Sequence, residues 1–193
     1  LFPYTTLFRS PVFESAAMIP PQTRREALTE VRAQLDTVSG SILNIRVGGN
    51  DLSHAFGLRR PANRTIYDLR PVADILIDIV AAFGTQYVVS GPVWEYYSGE
   101  GWEEGLRREM ELDLLNGFTG KTVIHPNQIP VVNEMLRVSQ RDYADARAIL
   151  NWDTGSGSLV SASEDGGRMN EYNTHSRWAR RIVLRAERYG VRA

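Results

Sequence analysis

Four times between Pro11 and Ser139 the chain passes from a short apolar, β-branched stretch into a segment of helical length with one apolar stripe. Such alternation, at about thirty to forty residues per unit, predicts a parallel sheet crossed by helices, because parallel neighbours need a long connection. The stretches are Pro11–Ser15, Ile42–Val47, Gln86–Ser90 and Lys121–Ile124. The clearest helix carries Val72, Ile75, Leu76, Ile79, Val80 and Phe83 on a single stripe, with Pro71 in its first turn and Gly84 at its end. An earlier helix has Leu28, Val31, Leu35 and Val38 at helical spacing, with Thr23 and Glu26 as a predicted capping box and Gly40 as its stop. Leu52–Leu58 reads as a short helix or turn, and Arg59–Thr65 as a loop. Trp102–Asn116 is a third helix, with Leu106, Met110 and Leu114 on one face, and a fourth begins near Pro130.

Gly117–Gln128, GFTGKTVIHPNQ, ends its glycine turn like a phosphate loop, but Leu115 stands where that motif needs its first glycine. The order of elements is also reversed, since a β-branched run follows the glycines. The stretch therefore predicts a helix exit, a buried strand over Lys121–Ile124, and a polar loop, His125-Pro126-Asn127-Gln128, at the strand's C-terminal end. That end of a parallel sheet is where α/β proteins place their chemistry.

Two acids stand at the ends of the first two stretches, Glu14 and Asp51. On adjacent parallel strands they would lie about 4.8 Å apart and converge on one cation. With oxygen ligands alone and no cysteine in the chain, Mg²⁺ suits them better than zinc, and Mg²⁺ needs only one or two carboxylates. The competing expectation is that Asp51 caps the turn at Leu52 and Glu14 pairs with an arginine. His125 either orients substrate or holds its loop, as do Asn127 and Gln128. Lys121 either reaches an anionic group or lies in packed layers. His54 and Glu95 are further candidates, and Trp94, Tyr96 and Tyr97 read as wall.

GFTGKTVIHPNQ followed by a helix resembles the last barrel strand of the citrate lyase beta-subunit-like carbon–carbon lyases, the HpcH/HpaI aldolase group. PVFESA and GGNDL resemble the contexts in which that family holds its metal, which tips Glu14 and Asp51 toward Mg²⁺ ligands. The resemblance, closest to a divergent bacterial branch through SGPVWEYY and MNEYNTHSRWA, runs from Pro11 to the C-terminus. It implies an α/β fold, the C-terminal half of a (β/α)₈ barrel (strands five to eight) over residues 11–139, and a mainly helical extension over 140–193. Half a barrel would leave two open edges. Leu1–Ser10, LFPYTTLFRS, lacks an initiator Met and reads like a translated sequencing adapter, so an upstream half, with the family's key arginine, is expected to be missing and the chain as it stands to be inactive.

In the extension, Asp142–Leu150 is predicted helical, 153–158 a Gly/Ser-rich linker, 159–163 a short strand, Arg168–Thr174 a loop and Ser176–Tyr189 a final helix. That helix carries Arg177, Arg181, Arg185 and Arg188 on one stripe, either a solvated face or a contact to CoA-type phosphates or an acidic partner subunit. Glu171 and His175 belong to a pattern of the resembled branch. A net charge of −1 and no nucleic-acid motif argue against nucleic acid, and no apolar run has membrane-spanning length. The resemblance implies a cytoplasmic homo-oligomer acting on a small molecule, possibly a CoA thioester of the citryl- or malyl-CoA kind. A non-catalytic barrel-derived binding protein, or an aldol lyase of free oxo-acids, are the other expectations.

Overall fold

The computed structural model describes residues 8–152 and 160–192. The linker expected at 153–158 and most of the adapter-like start lie outside them. The chain divides into two units, Leu1–Val132 and Asn133–Ala193, ahead of the boundary expected at 139/140.

In the first unit, β1 (Val12–Phe13), β2 (Ile45–Val47), β3 (Val89–Gly91) and β4 (Gly120–Lys121) form one sheet in sequence order. Every pairing is parallel, with Val12 against Arg46, Arg46 against Ser90 and Ser90 against Gly120. Helix α1 (Pro21–Asp36) joins β1 to β2; α2 (Gly49–Ala55) and α3 (Arg70–Phe83) join β2 to β3; α4 (Trp102–Leu115) joins β3 to β4; α5 (Gln128–Met135) follows. This is the predicted alternation. Arg9, in the stretch set aside as adapter-like, makes a parallel bridge to Ile42.

One face of the sheet presents Phe13, Ile45, Val47 and Val89 to Leu28 of α1 and to the stripe of α3. Val72, Ile75, Leu76, Ile79 and Phe83 are all fully buried there, each contributing about 1.5–3 kcal/mol by leaving water. The Phe13 and Phe83 rings meet at 4.9 Å.

Several boundaries differ from expectation for local reasons. Helix α1 starts at Pro21, whose missing N–H is no loss in a first turn, so Thr23 lies inside it and its hydroxyl donates to the Ala17 and Pro20 carbonyls. The capping box is instead Thr65 with Asp68, ahead of α3. β4 ends at Lys121 rather than Ile124: Thr122 N still donates to Gly91 O at 3.1 Å, but the Ile124 N–H is taken by the Gln128 side chain at 2.9 Å. The chain then leaves the sheet, and Val123 and Ile124 are exposed.

The second unit packs α6 (Gln140–Leu150) against α7 (Tyr172–Tyr189), burying Ala146, Ile149, Ala179, Ile182 and Ala186 with Val138. β5 (Val138–Ser139) pairs in parallel with β8 (Val191–Arg192), and β6 (Val160–Ala162) antiparallel with β7 (Met169–Glu171). The loop expected over Arg168–Thr174 is therefore a strand running into a helix that starts at Tyr172. Arg168 anchors it, bonding Asp145 at 2.6 Å and Asp142 at 2.9 Å and lying over the Trp178 ring at 5.3 Å.

Candidate functional site

Glu14 follows β1 by one residue and Asp51 lies in the first turn of α2, directly after β2. Gly48 sits between them, its N–H bonded to Phe13 O at 3.0 Å. A methyl group added to Gly48 would lie 2.4 Å from Glu14 Oε2 and 3.1 Å from Asp51 Oδ2. The two carboxylate oxygens are thus no further apart than those two distances laid end to end. Among the described residues neither carboxylate has a hydrogen-bond or ion-pair partner, and α2 has no side-chain cap at its start. Both competing expectations, the Asp51 cap and the Glu14–arginine pair, are missing from this arrangement. Two anionic groups turned toward one point, over a residue with no side chain to fill it, suit a hard divalent cation. No group of three or more His, Cys, Asp or Glu is arranged to hold a metal among the described residues, so two carboxylates are what this surface offers.

Lys121 does reach anions, and they are the protein's own. Its ammonium lies 2.7 Å from Glu109 Oε1 and 2.7 Å from Asp113 Oδ2, with all three side chains shut from water. Arg60, 1% exposed, adds Nε at 3.0 Å from Glu109 Oε2. Ile66 N and Tyr67 OH complete the set, donating to Glu109 at 2.8 Å and to Asp113 at 2.7 Å. Burial pushes the Asp113 carboxyl up, with Lys121 working against it, and burial beside Asp113 pushes the Tyr67 phenol up. Sequence reasoning missed this cluster. The available signal was that Glu109 and Asp113 fall on the same i, i+3, i+4, i+7 stripe as Leu106 and Met110.

The loop after β4 is clasped to the loop after β3. Gln128 is fully buried, and its amide donates to Trp94 O at 2.8 Å and Tyr96 O at 2.9 Å. Asn127 donates to Tyr97 O at 3.2 Å. His125 stacks on Tyr97 at 4.3 Å, and its Nδ1 accepts the Asn127 N–H at 3.1 Å. With Nδ1 accepting, the neutral ring carries its proton on Nε2. Glu95 is held by Arg59 at 2.9 Å, and His54 is exposed on α2, one turn beyond Asp51.

In the second unit, Arg177, Arg181 and Arg188 are exposed on α7, while Arg185 is partly buried and its guanidinium pKa lowered by that burial. His175 Nδ1 accepts the Glu171 N–H at 3.0 Å, fixing the entry to α7.

Comparison with known proteins adds three findings. A family model described as the C-C bond lyase of the TIM-barrel fold matches residues 4–191. The L-malyl-CoA/beta-methylmalyl-CoA lyase of Cereibacter sphaeroides is 38% identical over 74 residues, covering 37% of this chain and 22% of that protein. The crystal structure of CitE from Mycobacterium tuberculosis, in complex with magnesium, acetoacetate and coenzyme A, superposes with a TM-score of 0.54 and 27% identity, over 76% of this chain and 53% of that one. The chain thus spans about a fifth and about half of the lengths of these two relatives. No helix among the described residues is long and apolar enough to cross a membrane.

Proposed function

The chain belongs to the carbon–carbon bond lyases of the TIM-barrel fold, and from that premise we propose that Glu14 and Asp51 hold a Mg²⁺ ion at which a hydroxy acid is cleaved, or assembled, at the carbon–carbon bond beside its hydroxyl. The observation that carries this reading is the convergence of two unpaired carboxylates over Gly48. In it, the four parallel strands are staves five to eight of the barrel, and the second unit is its C-terminal extension. The activity is proposed for a protein in which these staves stand with the rest of the barrel.

Mg²⁺ bound there supplies Lewis-acid polarisation of the acid's hydroxyl and carboxylate oxygens. The chain's own residues do the rest of the placing. Gly48 keeps the space between the acids open. His125, locked by Tyr97 and the Asn127 N–H, presents an Nε2–H that can hydrogen-bond a substrate oxygen. Lys121, held between Glu109 and Asp113, has a positioning role: it ties β4, and so the His125 loop, to α4. For the second unit taken by itself, the exposed Arg177 and Arg181 are proposed to receive the phosphates of a CoA-type group, on the strength of the relatives' CoA ligand and substrate. The substrate is then a citryl- or malyl-CoA-like hydroxyacyl thioester.

Two measurements test this. Isothermal titration with Mg²⁺ or Mn²⁺ should give binding that falls at least tenfold in Glu14→Gln and in Asp51→Asn. In a protein where these staves stand with the rest of the barrel, a hydroxyacyl-CoA thioester should release an oxo-acid only with the metal present. Unchanged metal affinity in both variants would sink the reading and leave a non-catalytic binding protein.

A further inference from the structure

The sheet has a second face, and Arg46 lies on it. Side chains alternate along a strand, and Phe13 and Val47 face the α3 core, so Val12, Arg46 and Ser90, one residue earlier in the register, face the other way. Glu14, Gly48 and Thr122 stand one residue beyond the registered pairs Phe13–Val47 and Gly91–Lys121. They therefore share that second face, one level nearer the strands' C-terminal ends.

Arg46 does not stay at its own level. Its Nε lies 3.4 Å from Thr122 Oγ1, so the side chain climbs two residues along the strands and crosses from β2 to β4. The path is clear because its neighbours on the row are small: Ser90, whose hydroxyl is taken by Asn44 at 2.7 Å, and Gly120. The guanidinium thus ends on the same level as the Glu14–Asp51 pair, displaced along the sheet. It is partly withdrawn from water, and among the described residues no carboxylate lies within ion-pair reach of it. The Thr122 hydroxyl beside it brings no charge. An arginine shielded in this way, with its fork of donors unspent, is suited to an anion, which it can bind by two parallel hydrogen bonds.

We infer that Arg46 is a substrate-positioning residue that receives a second anionic group of the acid whose first carboxylate and hydroxyl sit at Glu14 and Asp51. This rests on the metal reading of those two acids and narrows the substrate proposed above: a malyl thioester has its second carboxyl in the CoA bond, whereas a citryl thioester keeps another carboxylate free for Arg46. Two strand spacings separate Gly48 from Thr122, roughly 10 Å. Subtracting about 2 Å for a Mg²⁺–oxygen contact and about 3 Å for a guanidinium–carboxylate hydrogen bond leaves ~5 Å between the two acid groups. That is the span of a short-chain dicarboxylate, and it excludes a second phosphate many bonds away. The residue would make the site prefer hydroxy diacids over hydroxy monoacids of equal length.

The test compares malate with 2-hydroxybutyrate, which has the same carbon count and hydroxyl but one carboxylate fewer, by titration calorimetry with Mg²⁺ present. The wild-type chain should bind malate about tenfold or more tightly than 2-hydroxybutyrate. Arg46→Gln should erase that preference while leaving the affinities for 2-hydroxybutyrate and for Mn²⁺, read by electron paramagnetic resonance, unchanged. Arg46→Lys, which keeps the charge and loses the fork, should retain part of the preference. A malate preference that survives in Arg46→Gln overturns the inference, as does a fall in thermal stability with the preference intact, which marks Arg46 as structural. The metal reading fails separately, through absence of Mn²⁺ binding in the wild type. The malate-to-2-hydroxybutyrate ratio measured without metal then still decides the role of Arg46.

Discussion

Lys121 Nζ and Asp113 Oδ2 stand 2.7 Å apart with both side chains closed off from solvent. The pair links the last strand of the sheet to α4, and Glu109 shares the same ammonium at 2.7 Å. Gly91 has no side chain because there is no room for one: an added Cβ would come within 2.4 Å of Asp113 Oδ2. Removing the cation leaves two buried carboxylates with Arg60 as their remaining strong counter-ion. Lys121→Met is therefore expected to cost about 3–5 kcal/mol at neutral pH, by urea unfolding.

The same variant should show an altered pH profile. Burial holds the Asp113 pKa above its ordinary value, and the charge of Lys121 opposes that rise. Losing Lys121 raises it further. A carboxyl whose folded pKa is raised contributes stability below its unfolded pKa and loses it as pH climbs through the folded one. The deficit of Lys121→Met against wild type should accordingly shrink as pH is lowered toward the ordinary aspartate range. A deficit that stays constant between neutral and acid pH would show that Asp113 does not take up the proton.

Gln128 closes three backbone hydrogen bonds at once, to Ile124 N, Trp94 O and Tyr96 O. Gln128→Leu keeps the bulk and leaves these groups unmatched in a buried place, at about 1–3 kcal/mol for each that water cannot reach. Hydrogen exchange should rise at 94–97 and at 122–127 together, because one side chain serves both loops. Protection lost in only one of them would mean that the clasp is held by Asn127 and His125 instead.

Much of this architecture was readable from local pattern. The α3 stripe, the parallel sheet and the position of Glu14 and Asp51 at strand ends follow from spacing within a few residues, whereas the order of the strands in the sheet was implied by the family resemblance. The rest depended on distant partners. β4 stops early because a side chain from the next helix captures the Ile124 N–H. β5 pairs with β8 from the far end of the second unit, and β7 exists only because β6 lies beside it. Glu109 and Asp113 were hidden for another reason: acids on a helix read as its wet face unless a buried Lys121 and Arg60 are known to meet them.

Asp68 provides a second pH-dependent test at a smaller scale. The Thr65 N–H donates to Asp68 Oδ2 at 2.7 Å and the Thr65 hydroxyl at 3.0 Å, and these bonds, the backbone one foremost, hold the carboxyl below the ordinary aspartate value. A depressed carboxyl contributes stability above its unfolded pKa and loses it as pH falls through the folded one. Asp68→Ala should cost about 1 kcal/mol at neutral pH, less given its exposure to solvent, and nothing at a pH low enough to protonate Asp68 in the wild type. Paired thermal melts at neutral and strongly acid pH check it.

Gly48→Ala tests whether the two acids have to meet over this residue. The backbone at Gly48 has φ −82°, which any residue adopts, so no conformational strain accompanies the change. The difficulty is space: the new methyl would meet Glu14 Cβ at 2.5 Å and Oε2 at 2.4 Å. The exposed Glu14 carboxylate can rotate away, but its Cβ is fixed to the backbone at the end of β1, so the strand end must shift too, and the stability loss should reach the upper end of the roughly 1–3 kcal/mol seen on overpacking. Both movements take the Glu14 carboxylate away from Asp51. Mn²⁺ affinity should therefore fall at least tenfold, and the melting temperature should drop by roughly 5–10 °C with it. A variant that melts like the wild type and binds metal equally well would show that the two acids need not meet over Gly48, and the site would have to be sought elsewhere on the sheet.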